Sequence, residues 1–168
     1  MNWFFITLGY SGLFPKAPGT AGSFVALILG MWILTFLNAQ TLFLGTILIT
    51  IIAIKSINKY EEKSKLHDDK RIVIDELAGM WLALSIAPAI TVNINTITDF
   101  QNGFFIQSIL SFILFRYFDI AKPSIIGRID RDVKGGVGVM GDDIVAGLAA
   151  GILSASIWQG ILYIQTII

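Results

Sequence analysis

Long apolar runs without a single charge dominate this sequence, and short polar stretches separate them. Asp, Glu, Lys and Arg are absent from residues 17–54, 77–98, 100–115 and 144–168. A helix that spans a bilayer needs about 20 mostly apolar residues. The uncharged windows therefore predict membrane-spanning helices, and the first window is too long for only one of them.

We predict an all-α fold, a polytopic membrane helical bundle of about five helices in a single domain over residues 1–168. The predicted helices cover approximately residues 22–37, 41–57, 75–87, 103–118 and 142–163. The first two form a tight hairpin because Asn38-Ala39-Gln40 interrupts the apolar window. Pro88 ends the third helix and Lys122-Pro123 lies just beyond the fourth, because the residue before a proline disfavours helical backbone.

Composition supports a membrane protein and excludes several classes. Hydrophobic residues make up 55% of the chain and charged residues only 14%, whereas a soluble domain carries about a quarter charged residues. Disorder, a collagen-like fibre and a disulfide-stapled scaffold do not fit. The absence of Cys excludes thiolate chemistry, and a single His argues against a His-based triad or metal cage. A net charge of zero gives no sign of the excess of basic residues that is typical of nucleic-acid-binding proteins.

The charges favour one topology. If the N-terminus and residues 55–76 and 116–143 share one side of the membrane, that side holds all 12 basic residues and every acid except Asp99. The positive-inside rule makes this side cytoplasmic. Residues 3–14 are predicted to lie at the interface or to re-enter the membrane rather than to form a signal peptide. Because the apolar windows carry no charge, we expect chemistry at the cytoplasmic membrane surface and not at the midplane, where transporters place ionisable groups.

The first polar motif is Pro18-Gly19-Thr20-Ala21-Gly22-Ser23. Its glycines permit a close approach of the backbone, and the hydroxyls of Thr20 and Ser23 lie at a predicted helix N-terminus, which is a natural seat for a phosphate. Ordinary N-capping of a membrane helix would explain the same residues.

The second motif contains His67-Asp68 and, just before an apolar run, Asp75-Glu76. Acids at the start of a helix interact favourably with the helix dipole, which is the simple explanation. The alternative is a divalent metal held by hard oxygen ligands, because two adjacent carboxylates at a membrane boundary are costly without a cation. His67-Asp68 is the weaker candidate, since a lone His in a polar loop is usually only solvated.

Two more motifs carry charge at predicted helix ends. Arg116, Asp119 and Lys122 are spaced by three and share a helix face, either as a surface ion-pair ladder or as a phosphate clamp. A glycine-rich stretch, residues 135–141, is predicted to form a turn that delivers Asp142 and Asp143 to the N-terminus of the last helix. N-capping explains one of these acids but not both.

Taken together, the motifs place five acids at the cytoplasmic ends of three predicted helices. They are Asp75, Glu76, Asp119, Asp142 and Asp143. Carboxylates that hold Mg²⁺ beside bases that clamp a phosphate would allow a metal-activated water to attack phosphorus. Asp130-Arg131-Asp132 resembles the two-acid motif of haloacid-dehalogenase phosphatases, but it follows no predicted strand, so we discount it.

The chain resembles the phosphatidylglycerophosphatase A family of bacterial lipid phosphatases. The resemblance rests on the four motifs above, which occur in the family's order. It implies an all-helical membrane enzyme that hydrolyses phosphatidylglycerophosphate to phosphatidylglycerol and phosphate with Mg²⁺, at the cytoplasmic face of the inner membrane. Two departures bear on headgroup fit: Lys70-Arg71 replaces smaller residues, and Ser124 stands where an aromatic often follows Lys-Pro.

The motifs and the resemblance together give each candidate residue an expected role. The expected catalytic residues are Asp75, Asp119, Asp142 and Asp143, and Glu76 joins them as an expected Mg²⁺ ligand. The expected substrate-binding residues are Thr20, Ser23, Arg116, Lys122 and Arg131. The phospholipid substrate is the expected partner, and association with further copies is open. A lipid headgroup transferase and a non-catalytic membrane scaffold or transport subunit remain the alternatives.

Overall fold

The computed structural model describes residues 3–66, 69–87 and 103–167, and these contain helices and their links but no strand. The expected all-α fold is confirmed. Over the described ranges the α-helices are α1 (Trp3–Ile6), α2 (Pro18–Phe36), α3 (Ala39–Ser64), α4 (Ile74–Ile86), α5 (Phe104–Ala121), α6 (Ile125–Asp132) and α7 (Gly135–Ile167). The expectations for His67-Asp68, for Pro88 as a helix stop and for Asp99 lie outside the described residues.

The predicted helical hairpin is present. Helix α2 ends at Phe36, and the Asn38 side chain caps α3 by accepting a hydrogen bond from the Thr41 amide at 2.8 Å. Helix α3 continues to Ser64, well beyond the predicted end at residue 57. Its last turns are rich in Lys and Glu, which are good helix formers, so the helix outlasts the apolar window.

Among the residues that the structure describes, four helices are long and apolar enough to cross a membrane: α2, α3, α5 and α7. Their outer surfaces carry large apolar side chains, and Trp32, Leu48 and Ile113 are each more than half exposed. A soluble protein rarely exposes so much contiguous apolar surface, whereas acyl chains cover it at no cost. The bundle therefore has the outer surface of a membrane protein.

Helix α4 occupies the centre of the bundle and packs against α2, α3, α5 and α7. It has 13 residues, nearly all buried, so it is about 20 Å long and too short to be a fifth span by length. The helix predicted over residues 75–87 is thus present, but it is a buried core element. The first turn of α4 brings Asp75 and Glu76 to one end of the bundle.

The predicted glycine-rich turn before Asp142 is wrong, because residues 135–141 already belong to α7. The Gly136 amide donates a hydrogen bond to Asn58 Oδ1 at 2.6 Å, and a Cβ at Gly136 would lie 2.5 Å from the Ile54 carbonyl oxygen. Close packing on α3 thus compensates for the low helix propensity of glycine. As a result, Asp142 and Asp143 lie about two turns inside α7, where they cannot act as N-caps.

Small residues bring α4 and α7 into direct contact. A Cβ at Gly147 would lie 2.2 Å from the Gly79 carbonyl oxygen, and one at Gly151 would lie 2.9 Å from the Ala83 carbonyl oxygen. Glycines four residues apart make a flat helix face that admits a second backbone, as in many membrane helix pairs. This contact holds Asp143, one turn before Gly147, against the start of α4.

The N-terminal segment fastens the link that precedes α4. The Val73 amide donates to the Ile6 carbonyl at 3.0 Å, and the Arg71 guanidinium lies 5.1 Å from the centre of the Trp3 ring. Arg71 also forms an ion pair with Asp69 at 2.6 Å, and its hydrogen bonds hold the pKa of Asp69 well below the usual value. The interfacial or re-entrant position expected for residues 3–14 stays a prediction.

Candidate active site

A cavity of about 370 Å³ opens at one end of the bundle, where the starts of α4 and α7 meet the end of α5 and the short helix α6. In the described ranges its polar lining contains six acids and four bases: Asp75, Glu76, Asp119, Asp130, Asp142 and Asp143, with Lys70, Lys122, Arg131 and Lys134. All five acids predicted for the site therefore share one cavity. They come from three helices, as the sequence predicted.

Three of these acids form a tight cluster. Carboxylate oxygens of Asp75, Glu76 and Asp143 lie within 4.8 Å of one another. Glu76 and Asp143 are buried, at 9% and 3% exposure. Within the described ranges, Asp75 Oδ1 and Glu76 Oε2 are buried without a hydrogen-bond partner. Such atoms are costly unless something binds them, so the cluster is prepared for a ligand that donates positive charge.

The electrostatics of the cluster favour a cation. Burial raises the pKa of both Asp75 and Glu76, and the charges of neighbouring carboxylates act in the same direction. Three carboxylates this close repel one another unless protons or a metal ion offset them. Hard oxygen ligands suit Mg²⁺ or Ca²⁺. The residues present therefore fit a divalent metal ion, with Asp75, Glu76 and Asp143 as the group that could hold it.

The other two predicted ligands lie beside this cluster and pair with bases. Asp119 accepts a short hydrogen bond from Arg116. Asp142 accepts one from Lys122 Nζ at 2.8 Å, and Lys122 also pairs with Asp130. Burial alone would lower the pKa of Lys122, but its two carboxylate partners raise it above the usual value. Arg116 and Lys122 are thus held as fixed cations at the site, and metal ligation by Asp119 and Asp142 stays a prediction.

The start of α2 packs directly against this site. Ser23 is buried, donates to the Gly19 carbonyl at 2.7 Å and accepts from Arg116 Nη1 at 3.0 Å, so it positions the guanidinium. Thr20 is exposed and is not among the residues that line the cavity. Neither hydroxyl caps the helix, because the N-cap is Ala17 and Pro18 occupies the first turn. A headgroup contact for Thr20 and Ser23 stays a prediction.

Gly19 is the point of closest approach between α2 and the acids. A Cβ there would lie 2.4 Å from Glu76 Oε1 and 3.4 Å from the Arg116 guanidinium nitrogens. We therefore expect Gly19→Ala to displace the Glu76 carboxylate and to lower kcat/KM by about 10–100-fold, since an error of about 1 Å in a reacting group has effects of this size. The melting temperature in detergent should change little, because a flexible side chain can yield and Ala favours helix.

Gly45→Ala is the matched control for this substitution. It adds the same methyl group to a helix glycine, and its Cβ would only touch the Trp81 ring at 3.9 Å. The comparison is made by measuring kcat/KM of both variants in the steady state. Equal activity of the two variants would contradict a requirement for space at Gly19.

Sequence reasoning missed three residues of the cavity. Asp130 was discounted, yet it pairs with Lys122, and Lys70 and Lys134 line the same space. For Asp130 the available signal was the spacing of polar and apolar residues along the segment that forms α6, which separates them onto opposite faces of a short helix. For Lys70 the only sequence signal was the expectation, from the family resemblance, of a smaller residue at this position.

Comparison with known proteins finds one family and several relatives. Residues 4–158 match the sequence model of the family described as Phosphatidylglycerophosphatase A. The chain is 37% identical to "Phosphatidylglycerophosphatase A" of Escherichia coli (strain K12) over 153 residues, which cover 90% of this chain and 81% of that protein. It is 38% identical to a "Putative phosphatidylinositol-3-phosphatase" of Bacteroides thetaiotaomicron over 151 residues, 86% of each chain. A third relative, "Phosphatidylglycerophosphatase A" of Haemophilus influenzae, is 33% identical over 141 residues, 83% of this chain and 78% of the relative. No solved structure gives a significant match.

Proposed function

The chain belongs to the phosphatidylglycerophosphatase A family and is a phosphatase, and from this premise we propose that it hydrolyses phosphatidylglycerophosphate to phosphatidylglycerol and phosphate with Mg²⁺ as cofactor. The site would lie at the cytoplasmic face of a bacterial inner membrane. The observation that carries the proposal is the cluster of Asp75, Glu76 and Asp143, whose oxygens lie within 4.8 Å of one another inside a cavity lined by bases. A metal-dependent phosphatase uses metal ligands and cations in this combination.

Mg²⁺, when bound by Asp75, Glu76 and Asp143, supplies Lewis-acid chemistry and a means to activate water at neutral pH. The side chains of this chain bind and orient the substrate. Lys122 is fixed by acids and lines the cavity, where it presents positive charge to the phosphoryl oxygens. Arg116 is fixed by Asp119 and adds positive charge beside the acid cluster. In the net reaction a water oxygen forms the new bond to phosphorus, the ester P–O bond breaks, and the lipid alkoxide leaves with a proton as an alcohol.

The membrane position follows from where the charges lie. The residues that line the cavity lie within residues 55–76 and 116–143, and these two segments carry 22 of the 24 charged residues of the chain. Lys and Arg accumulate on the cytoplasmic side of membrane proteins. A phosphomonoester headgroup at that surface reaches the cavity without crossing the apolar layer. This location supports a lipid rather than a free sugar phosphate as the substrate.

A second candidate substrate is a phosphatidylinositol phosphate. The relative that is 38% identical is named a putative phosphatidylinositol-3-phosphatase. Lys70 lines the cavity in which a headgroup would bind. Both candidates are phosphomonoesters on the headgroup of a glycerophospholipid, so the chemistry at the acid cluster is the same.

Phosphate release tests the proposal directly. Purified protein in detergent is incubated with phosphatidylglycerophosphate or phosphatidylinositol 3-phosphate, with Mg²⁺ or with EDTA, and free phosphate is measured. We expect release with Mg²⁺, a fall of more than about 100-fold with EDTA, and recovery when Mg²⁺ is restored.

The other outcomes identify the alternatives. A headgroup transferase would consume a nucleotide-activated lipid and release CMP, and a scaffold would release no phosphate from any lipid. Release that is equally fast in EDTA would contradict the metal cofactor while leaving the phosphatase activity in place. The ratio of rates on the two lipids decides between the candidate substrates.

A further inference from the structure

Three basic side chains line the cavity without an acidic partner among the described residues. Lys70 lies in the link before α4, Arg131 in the last turn of α6, and Lys134 in the link between α6 and α7. Among the residues that the structure describes, none of these side chains forms an ion pair or a hydrogen bond, whereas Arg116 and Lys122 do. No acid in the described ranges neutralises the positive charges of these three side chains, so an anionic ligand can bind them.

The cavity has an acidic floor and a basic mouth. Asp142 and Asp143 are buried at its inner end, at 6% and 3% exposure. Lys70, Arg131 and Lys134 are all exposed. The basic groups therefore lie outside the acids, along the route by which an anionic group enters. An anion at the mouth is a different ligand position from a phosphate that reaches the acid cluster.

The size of the cavity also exceeds the need of one phosphate. Its volume of about 370 Å³ falls in the range of about 300–1,000 Å³ that is typical of pockets for whole small molecules. A lipid whose headgroup carries a phosphomonoester beyond its phosphodiester offers two anionic groups to such a cavity. One matches the cluster at the floor, and the other matches the mouth.

We propose that Lys70 and Lys134, with Arg131, form a second anion site that binds the phosphodiester of the lipid while the terminal phosphomonoester occupies the acid cluster. This inference rests on the proposed function and deepens it. The substrate class is then a phosphodiester lipid with a phosphorylated headgroup. Phosphatidic acid, which has a monoester but no diester, is a poor substrate because the basic mouth has no partner for it.

The test compares two lipids on two double variants. Phosphatidylglycerophosphate and phosphatidic acid are presented in mixed micelles to the wild type, to Lys70→Ala/Lys134→Ala, and to Lys59→Ala/Lys63→Ala. The control pair is exposed on α3, lies outside the cavity lining and removes the same two charges. We expect the wild type to prefer phosphatidylglycerophosphate and the first variant to lose about tenfold of that preference through KM, since each exposed charge pair contributes a factor of a few. The control variant should keep the preference.

Equilibrium binding of the same lipids to the same proteins separates this inference from the proposed function. If neither lipid is hydrolysed, the proposed function fails, and the ratio of the two dissociation constants still reports the anion site. A ratio that Lys70→Ala/Lys134→Ala leaves unchanged within twofold, in kinetics or in binding, overturns the second anion site. An equal loss for both lipids also overturns it, because it would mean that the lysines act only through the general field of the cavity.

Discussion

Asp143→Asn is expected to lower kcat/KM for phosphatidylglycerophosphate by about 10³-fold or more while the helical bundle stays intact. The amide has nearly the same shape as the carboxylate, but it removes one charge from the group that could hold the metal. Electrostatic stabilisation at the reacting phosphate is usually the largest contribution to such a rate. Because Asp143 is buried beside Asp75 and Glu76, the loss of a like charge also relieves repulsion in the folded protein.

Two measurements distinguish this effect from general damage. In the wild type, Mg²⁺ should raise the melting temperature because it binds only the folded state, and in Asp143→Asn this increase should largely disappear. Asp132→Asn is the control, since Asp132 is exposed at the end of α6 and does not line the cavity. If Asp143→Asn hydrolysed the lipid at near the wild-type rate, the assignment of the cluster as the metal site would be wrong.

The parts of the fold that the sequence predicted correctly depend on local signals. The interruption at Asn38 sets the α2–α3 hairpin because that side chain caps the following helix. The uncharged windows predict where the long helices lie, because burial in a membrane or in a core excludes charge. The same windows predicted that the acids lie together at the helix ends. The structure does bring the acids of α4, α5 and α7 into one cavity, although Asp142 and Asp143 lie about two turns inside α7.

The errors arose where packing between distant residues overrides local preference. Seven residues that include four glycines predict a turn before Asp142, yet contact with Ile54 and Asn58 of α3 keeps them helical. Nothing local to the sequence announces that contact. A propensity argument fails at such a position because tertiary packing contributes more than helix propensity.

The pairing of Lys122 with Asp130 was equally inaccessible from the sequence. The chain reverses after α5 through left-handed backbone at Lys122 and positive φ at Ser124, 42° and 49°. Glycine usually occupies positions with positive φ, because residues with a side chain rarely adopt these conformations. Since Lys122 and Ser124 occupy them here, no glycine in the sequence indicates the turn. Only the reversal brings α6 over the cavity and places Asp130, Arg131 and Lys134 beside the acids.

The contact between α4 and α7 should be the most sensitive point for stability. A Cβ at Gly147 would lie 2.2 Å from the carbonyl oxygen of Gly79. That oxygen belongs to a buried helix backbone and cannot move aside as a side chain can. Gly147→Ala should therefore force the two helices apart and cost about 3 kcal/mol, at the upper end for overpacked cores. For a chain of this length, the melting temperature should fall by about 6–12 °C.

Gly160→Ala provides the matched control on the same helix. A Cβ at Gly160 would meet nothing within 4 Å, so the substitution should leave the melting temperature unchanged or raise it, because Ala is favoured over Gly in a helix by about 1 kcal/mol. Gly147→Ala should also lose activity, since Asp143 lies one turn away and separation of the helices carries it from Asp75. A Gly147→Ala protein that melts at or above the wild-type temperature would show that the two backbones do not touch, and the basis for placing Asp143 beside α4 would then be lost.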